Sequence, residues 1–175
     1  QFDIRAESLV LQYPELMALG WIDDQRRLMA TQTSPSVPRQ RAWVADGQLK
    51  RGEVLEGFDL ARDLRQPVYT QPLSEKGVEP VLYMHVPITP RAHFAGELLA
   101  EFSVDGLLRY GVPAEVLAKY AVALFDGKDQ LLAGQSIPER PGLSDRLPWS
   151  GKVNEFDIPV SPLGNGLVLR AQAWR

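Results

Sequence analysis

Residues 81–110, VLYMHVPITPRAHFAGELLAEFSVDGLLRY, decide the fold. In VLYMHVPI, Leu82, Met84, Val86 and Ile88 alternate with Val81, Tyr83, His85 and Pro87, which is the two-residue period of a β-strand. One face of that strand reads as plain core; the other presents a phenol and an imidazole. TPRAH supplies turn residues. In FAGELLAEFSV, Phe94, Gly96, Leu98, Ala100, Phe102 and Val104 alternate with Ala95, Glu97, Leu99, Glu101 and Ser103. Two long antiparallel strands are predicted, joined by a turn and closed by the start of a helix.

Towards the N-terminus, GFDLARDLR (57–65) spaces Phe58, Leu60, Ala61 and Leu64 as a helix does, with Asp59 early, Arg65 late and Pro67 as a stop. A short strand, VYTQ (68–71), and an SEKG turn lead from it to the central hairpin. Residues 33–41 are a loop rich in proline and serine, and 41–54 form an irregular excursion with Trp43 and an Asp46-Gly47 turn. Trp43 fits a lid over a site and a plug at the core edge equally well. Long loops on a rigid sheet are where binding residues tend to sit. At the start of the chain, residues 4–13 predict a helix stopped by Pro14, and 17–32 a first hairpin. Beyond residue 111 come a short helix over 112–119, strands over 120–126 and 130–134, a loop, and a closing hairpin over 155–174.

A shift of 103 positions sets WIDDQRRLMATQ (21–32) on LFDGKDQLLAGQ (124–135) without a gap. Asp23 meets Asp126, Leu28 meets Leu131, Ala30 meets Ala133 and Gln32 meets Gln135. The expectation is two tandem units of one fold, unequal in size: residues 1–112, with the excursion, helix and long hairpin, and a reduced copy over 113–175. A ligand site belongs in the larger unit.

With 175 residues and 45% hydrophobic content the chain can bury a sizeable core. Its net charge of −3 gives no electrostatic reason to expect nucleic acid or an anionic membrane surface. The absence of cysteine excludes disulfides, thiolate metal sites and a cysteine nucleophile. A first residue other than methionine, with no signal peptide and no apolar run near 18 residues, fits a soluble piece of a longer protein.

The repeated strand-D-x-x-x-L-x-A hairpin, FDLARDLRQPVYTQPL, VLYMHVPI and FAGELLAEFSVDGLL followed by VPAEVLAKYAVALFD together resemble a family. It is that of the tandem PAS-like extracytoplasmic sensor domains called double PDC or double Cache, as in C4-dicarboxylate-sensing histidine kinases. The resemblance spans nearly the whole chain. It implies an α+β fold with a PAS-like antiparallel sheet and flanking helices, followed by a smaller PAS-like unit. It further implies a periplasmic position, membrane anchors outside these residues, and a homodimer built on the N-terminal helix. The implied ligand is a small organic acid such as a dicarboxylate. Carried onto this sequence, its site uses Tyr69 and Thr70 on VYTQ and Tyr83 and His85 on VLYMHVPI, with Arg62, Arg65 or Lys76 as anion partners, because a buried carboxylate needs a cation or several donors.

No catalytic residue, metal or cofactor is expected. No nucleophile elbow or phosphate-binding glycine loop is present, and His85, His93 and Asp105 lack metal-ligand spacing. The rival to a ligand sensor is a structural or protein-binding module whose interior is filled by side chains; an exposed apolar patch would favour it.

Overall fold

The computed structural model describes residues 1–35, 44–45, 47–49, 52–70, 79–138, 155–160 and 166–174. Its first part contains α1 (Phe2–Gln12), β1 (Leu16–Asp23), β2 (Leu28–Thr33), the short pair β3 (Val44–Ala45) and β4 (Gln48–Leu49), α2 (Gly52–Leu64), β5 (Val68–Tyr69), β6 (Val81–Ile88) and β7 (Gly96–Ser103). Strands β1, β2, β5, β6 and β7 form one sheet in the order β2-β1-β7-β6-β5, antiparallel throughout. The chain continues through α3 (Val104–Gly111), α4 (Ala114–Leu117), β8 (Tyr120–Phe125), β9 (Leu131–Gly134), β10 (Glu155–Pro159) and β11 (Val168–Ala173). The last four strands form a second antiparallel sheet, β10-β11-β8-β9.

The fold is therefore α+β, with mainly antiparallel sheets flanked by helices, as the sequence predicts. In each sheet the first strand in the chain lies between its hairpin partner and the last strand. The second sheet follows the same order as the first with one strand fewer.

The shift of 103 residues is visible in backbone detail. Asp23 N–H donates to Arg27 O at 2.9 Å and Asp126 N–H to Gln130 O at 3.0 Å; Arg26 N–H reaches Asp23 O at 3.1 Å and Asp129 N–H reaches Asp126 O at 3.1 Å. In both turns the aspartate Oδ1 accepts from the backbone N–H groups two and four residues on. Arg26 and Asp129 both take left-handed backbone angles, φ 65° and 61°. Each hairpin also slips register at the matching place, between Trp21 and Ile22 and between Leu124 and Phe125.

Both faces of the first sheet are covered. Ala6 and Val10 of α1 pack on Leu16, Leu19 and Ala100 on one side. Val54 and Phe58 of α2 pack on Ile22, Tyr83 and Leu99 on the other. This revises the reading of β6 as half core and half polar: Tyr83 and His85 are among the most deeply buried residues. Alternation reports sidedness, whereas a helix on each side decides burial. A third cluster, Leu82, Val104, Leu124, Ala133 and Leu167, joins the two sheets.

Three boundaries move for physical reasons. Helix α2 starts at Gly52 rather than at residue 57, so Gly57 lies inside it, and Val54, Phe58 and Ala61 form its buried stripe. Strand β7 starts at Gly96, with φ 123°, where a Cβ would fall 2.1 Å from Ile22 O. The two residues before it leave the strand, and Phe94 meets Phe58 edge to face at 5.5 Å between ring centroids. Finally, the helix begun by VDGLL is complete: the Ser103 hydroxyl caps α3 by accepting from Gly106 N–H at 3.0 Å and donates to Glu79.

Candidate functional site

The hairpin register places His85 opposite Leu99 and Pro87 opposite Glu97, so Glu97 is the diagonal neighbour of His85 on the face beneath α2. Diagonal neighbours meet when both side chains are long. Here His85 Nδ1 and Glu97 Oε1 share a hydrogen bond of 2.8 Å, and both side chains are 0% exposed. Among the described residues, His85 Nε2 and Glu97 Oε2 have no partner. A buried polar atom left in that state is worth about 1–3 kcal/mol of lost stability.

Helix α2 closes over the pair at Gly57. A Cβ at that position would lie 2.3 Å from His85 Nε2 and 2.6 Å from Thr70 Cγ2, so the helix backbone comes nearer to the sheet than any other residue type allows. Burial pushes the Glu97 carboxyl above its ordinary range; the hydrogen bond and charge of His85 oppose the rise, and Asp59 on α2 adds to it. Asp59 accepts from Arg26 at 2.7 Å, which ties α2 to the β1–β2 turn. The arrangement stores a carboxylate, an imidazole and two unused hydrogen-bonding atoms at a helix–sheet interface. It is suited to holding a polar group or a proton.

The site residues named from sequence are distributed unevenly. The structure brings Thr70, Tyr83 and His85 to one face: Tyr83 and His85 are two apart on β6, and Thr70 N–H donates to Tyr83 O at 3.0 Å. Tyr69, paired with Met84, lies on the opposite face and packs against the cluster between the sheets. Arg62 is engaged on the outer side of α2 by Asp63 at 2.9 Å and Asp59 at 3.4 Å. Arg65 is exposed beyond the end of the helix. Lys76 and Trp43 lie outside the described residues.

Glu97 and Gly57 were missed. The signal for Glu97 was present, since an acid on the same face as Leu99 in a long hairpin must either be covered or face water, and the hairpin register sets it beside His85. For Gly57 the only hint was a glycine in GEVLEGFDL, which reads as a helix start.

No family model matches the sequence, and no curated protein matches it. Solved structures do. The chain is similar to the extracellular domain of vpHK1S-Z8, named as a histidine kinase, at 12% identity with a TM-score of 0.64 over 95% of this chain and 73% of that one. It is similar to the ligand-binding domain of the Pseudomonas aeruginosa amino acid chemoreceptor PctC in complex with GABA, at 13% identity, TM-score 0.53, over 97% and 79%. The sensory domain of the Campylobacter jejuni chemoreceptor Tlp3 matches at 10% identity, TM-score 0.53, over 96% and 71%.

The chain has the PAS-like, Cache-type fold of the sensor domains of membrane receptors. More particularly, the structures that share it are an extracellular domain of a histidine kinase and ligand-binding or sensory domains of chemoreceptors. Among the described residues no helix is long and apolar enough to cross a membrane.

Proposed function

We propose that the chain is the extracytoplasmic input region of a bacterial membrane signalling protein of the histidine kinase type. In this reading it binds a small organic acid on the α2 face of the first sheet. The observation that carries it is the buried His85–Glu97 pair with Nε2 and Oε2 unpartnered among the described residues. Buried polar atoms are nearly always satisfied, so two unused ones at an interface call for a polar occupant. Thr70 and Tyr83 flank them.

The chemistry narrows the class of acid. A second carboxylate next to Glu97 would be repelled, whereas an ammonium group would satisfy Oε2. Acids that also carry an amino group therefore suit the site better than the dicarboxylates the family resemblance implies. GABA, bound in the PctC structure, has that pair of groups. Because Gly57 lies against His85 Nε2, the occupant reaches the pair only when α2 lifts, and that displacement is the signal. A ligand shifts such an equilibrium only by its difference in affinity for the two states.

The competing reading, a module that signals through a partner without a ligand, draws support from the closed packing of His85 and Tyr83. A thermal-shift screen of amino acids, dicarboxylates and sugars separates the two. A ligand at 100 times its Kd adds about 2.7 kcal/mol of stability. The expected hit is an amino-bearing acid whose effect disappears in His85→Ala. A dicarboxylate hit would overturn the narrower class, a hit indifferent to His85→Ala would overturn the placement, and a silent screen favours the partner.

A further inference from the structure

The His85–Glu97 pair has a property that needs no ligand. In water at neutral pH a glutamate is ionised and an imidazole, titrating near about 6.5, is mostly neutral, so the two together carry a net charge of −1. Between α2 and the sheet that charge is enclosed by low-dielectric surroundings, where a net charge is strongly disfavoured unless compensated.

Among the described residues, the groups facing the pair do not compensate it. Strand β6 contributes Tyr83, β7 contributes Glu101 on the same face, β5 contributes Val68 opposite His85, with Thr70 just beyond its end, and β1 contributes Gly20 and Ile22. From α2 comes Asp59, whose charge raises the Glu97 carboxyl further. Two described cations on and beside α2 are committed to other acids: Arg26 to Asp59 at 2.7 Å, and Arg62 to Asp63 at 2.9 Å and Asp59 at 3.4 Å. Either an imidazolium against a carboxylate or a neutral imidazole against a carboxylic acid restores neutrality, and both hold one proton more than the exposed pair.

We infer that the His85–Glu97 pair is a proton-carrying latch for α2: the closed interface takes up one proton and releases it when the helix lifts from the sheet. Gly57 makes the latch sensitive, since the helix backbone rests directly on the imidazole and a change in its charge is felt there without an intervening side chain. The sign follows from the raised carboxyl. Above about 6.5 the exposed pair has given up its proton, so closed-state stability is lost as pH rises from there through the value, raised by burial of the Glu97 carboxyl, at which the closed pair gives up its own. The receptor region would then read external pH, with alkaline conditions opening α2.

The test compares the unliganded wild-type chain with Glu97→Gln, which keeps the shape of the side chain and removes its titration. Denaturant unfolding from pH 5 to pH 8 should show the wild-type folding constant falling relative to the variant, by up to about tenfold per pH unit for one linked proton. Parallel pH profiles would overturn the inference. NMR on the wild type alone supplies a second reading should the variant fold poorly. At pH 7 the Glu97 carboxyl carbon and the His85 ring nitrogens should report a protonated carboxyl or an imidazolium, and the Gly57 and Phe58 amides should titrate with the same midpoint. An ionised carboxyl beside a neutral imidazole, or α2 amides indifferent to that midpoint, would sink the idea.

Discussion

An alanine at position 57 suits a helix interior better than glycine by about 1 kcal/mol. Here its methyl would fall 2.3 Å from His85 Nε2 and 2.7 Å from His85 Cδ2, both on a side chain with no exposed surface. The imidazole is held by Glu97 on one side and the helix on the other, so it has little room to yield. Overpacking of this kind outweighs the propensity gain, and Gly57→Ala is expected to lose about 1–3 kcal/mol. Denaturant unfolding checks the size. The mechanism is checked by adding His85→Ala: with the ring removed the alanine should become neutral or stabilising, and a fully additive pair would mean that the methyl meets something else.

At the level of elements, the two aspartate turns should behave as copies. Asp23 and Asp126 each accept two backbone N–H bonds that organise a tight turn. Asp23→Ala and Asp126→Ala are each expected to lose about 1–2 kcal/mol, read by thermal or denaturant unfolding. The Asp23–Arg27 ion pair, exposed on its arginine side, adds only tenths of a kcal/mol, so a large excess at Asp23 would mean the turns are not equivalent. These turns were legible because their information is local: an aspartate before a hairpin bend, repeated at a fixed interval. The same holds for the long hairpin, where alternation fixes strand and partner together. The extent of α2 was less legible, since Gly57 obeys a tertiary contact and not helix propensity. Tyr69 shows the other limit. Strand β5 is only two residues long, and which of Tyr69 and Thr70 faces α2 depends on pairing with β6, which composition does not reveal.

At the scale of the whole molecule, the cluster of Leu82, Val104, Leu124, Ala133 and Leu167 makes each sheet part of the other's core. The two units proposed to meet near residue 112 are therefore expected to unfold together. Calorimetry should show one unfolding transition, and Leu124→Ala, leaving a cavity at this junction, should lower that single transition by about 2–5 kcal/mol. Two separable transitions, with only one of them moved, would contradict this. Strand order has a further bearing, on the time course of folding. In the first sheet β1 pairs with β7, from Asp23 opposite Gly96 to Leu16 opposite Phe102, and in the second β8 pairs with β11. The local hairpins β1–β2, β6–β7 and β8–β9 close over short loops and are fast to form, but each sheet is completed only when its opening strand meets its closing one. That long-range closure carries the entropy of the intervening chain and is expected to limit the rate. A nascent chain would therefore hold β1 with one edge unsatisfied until Ser103 has emerged.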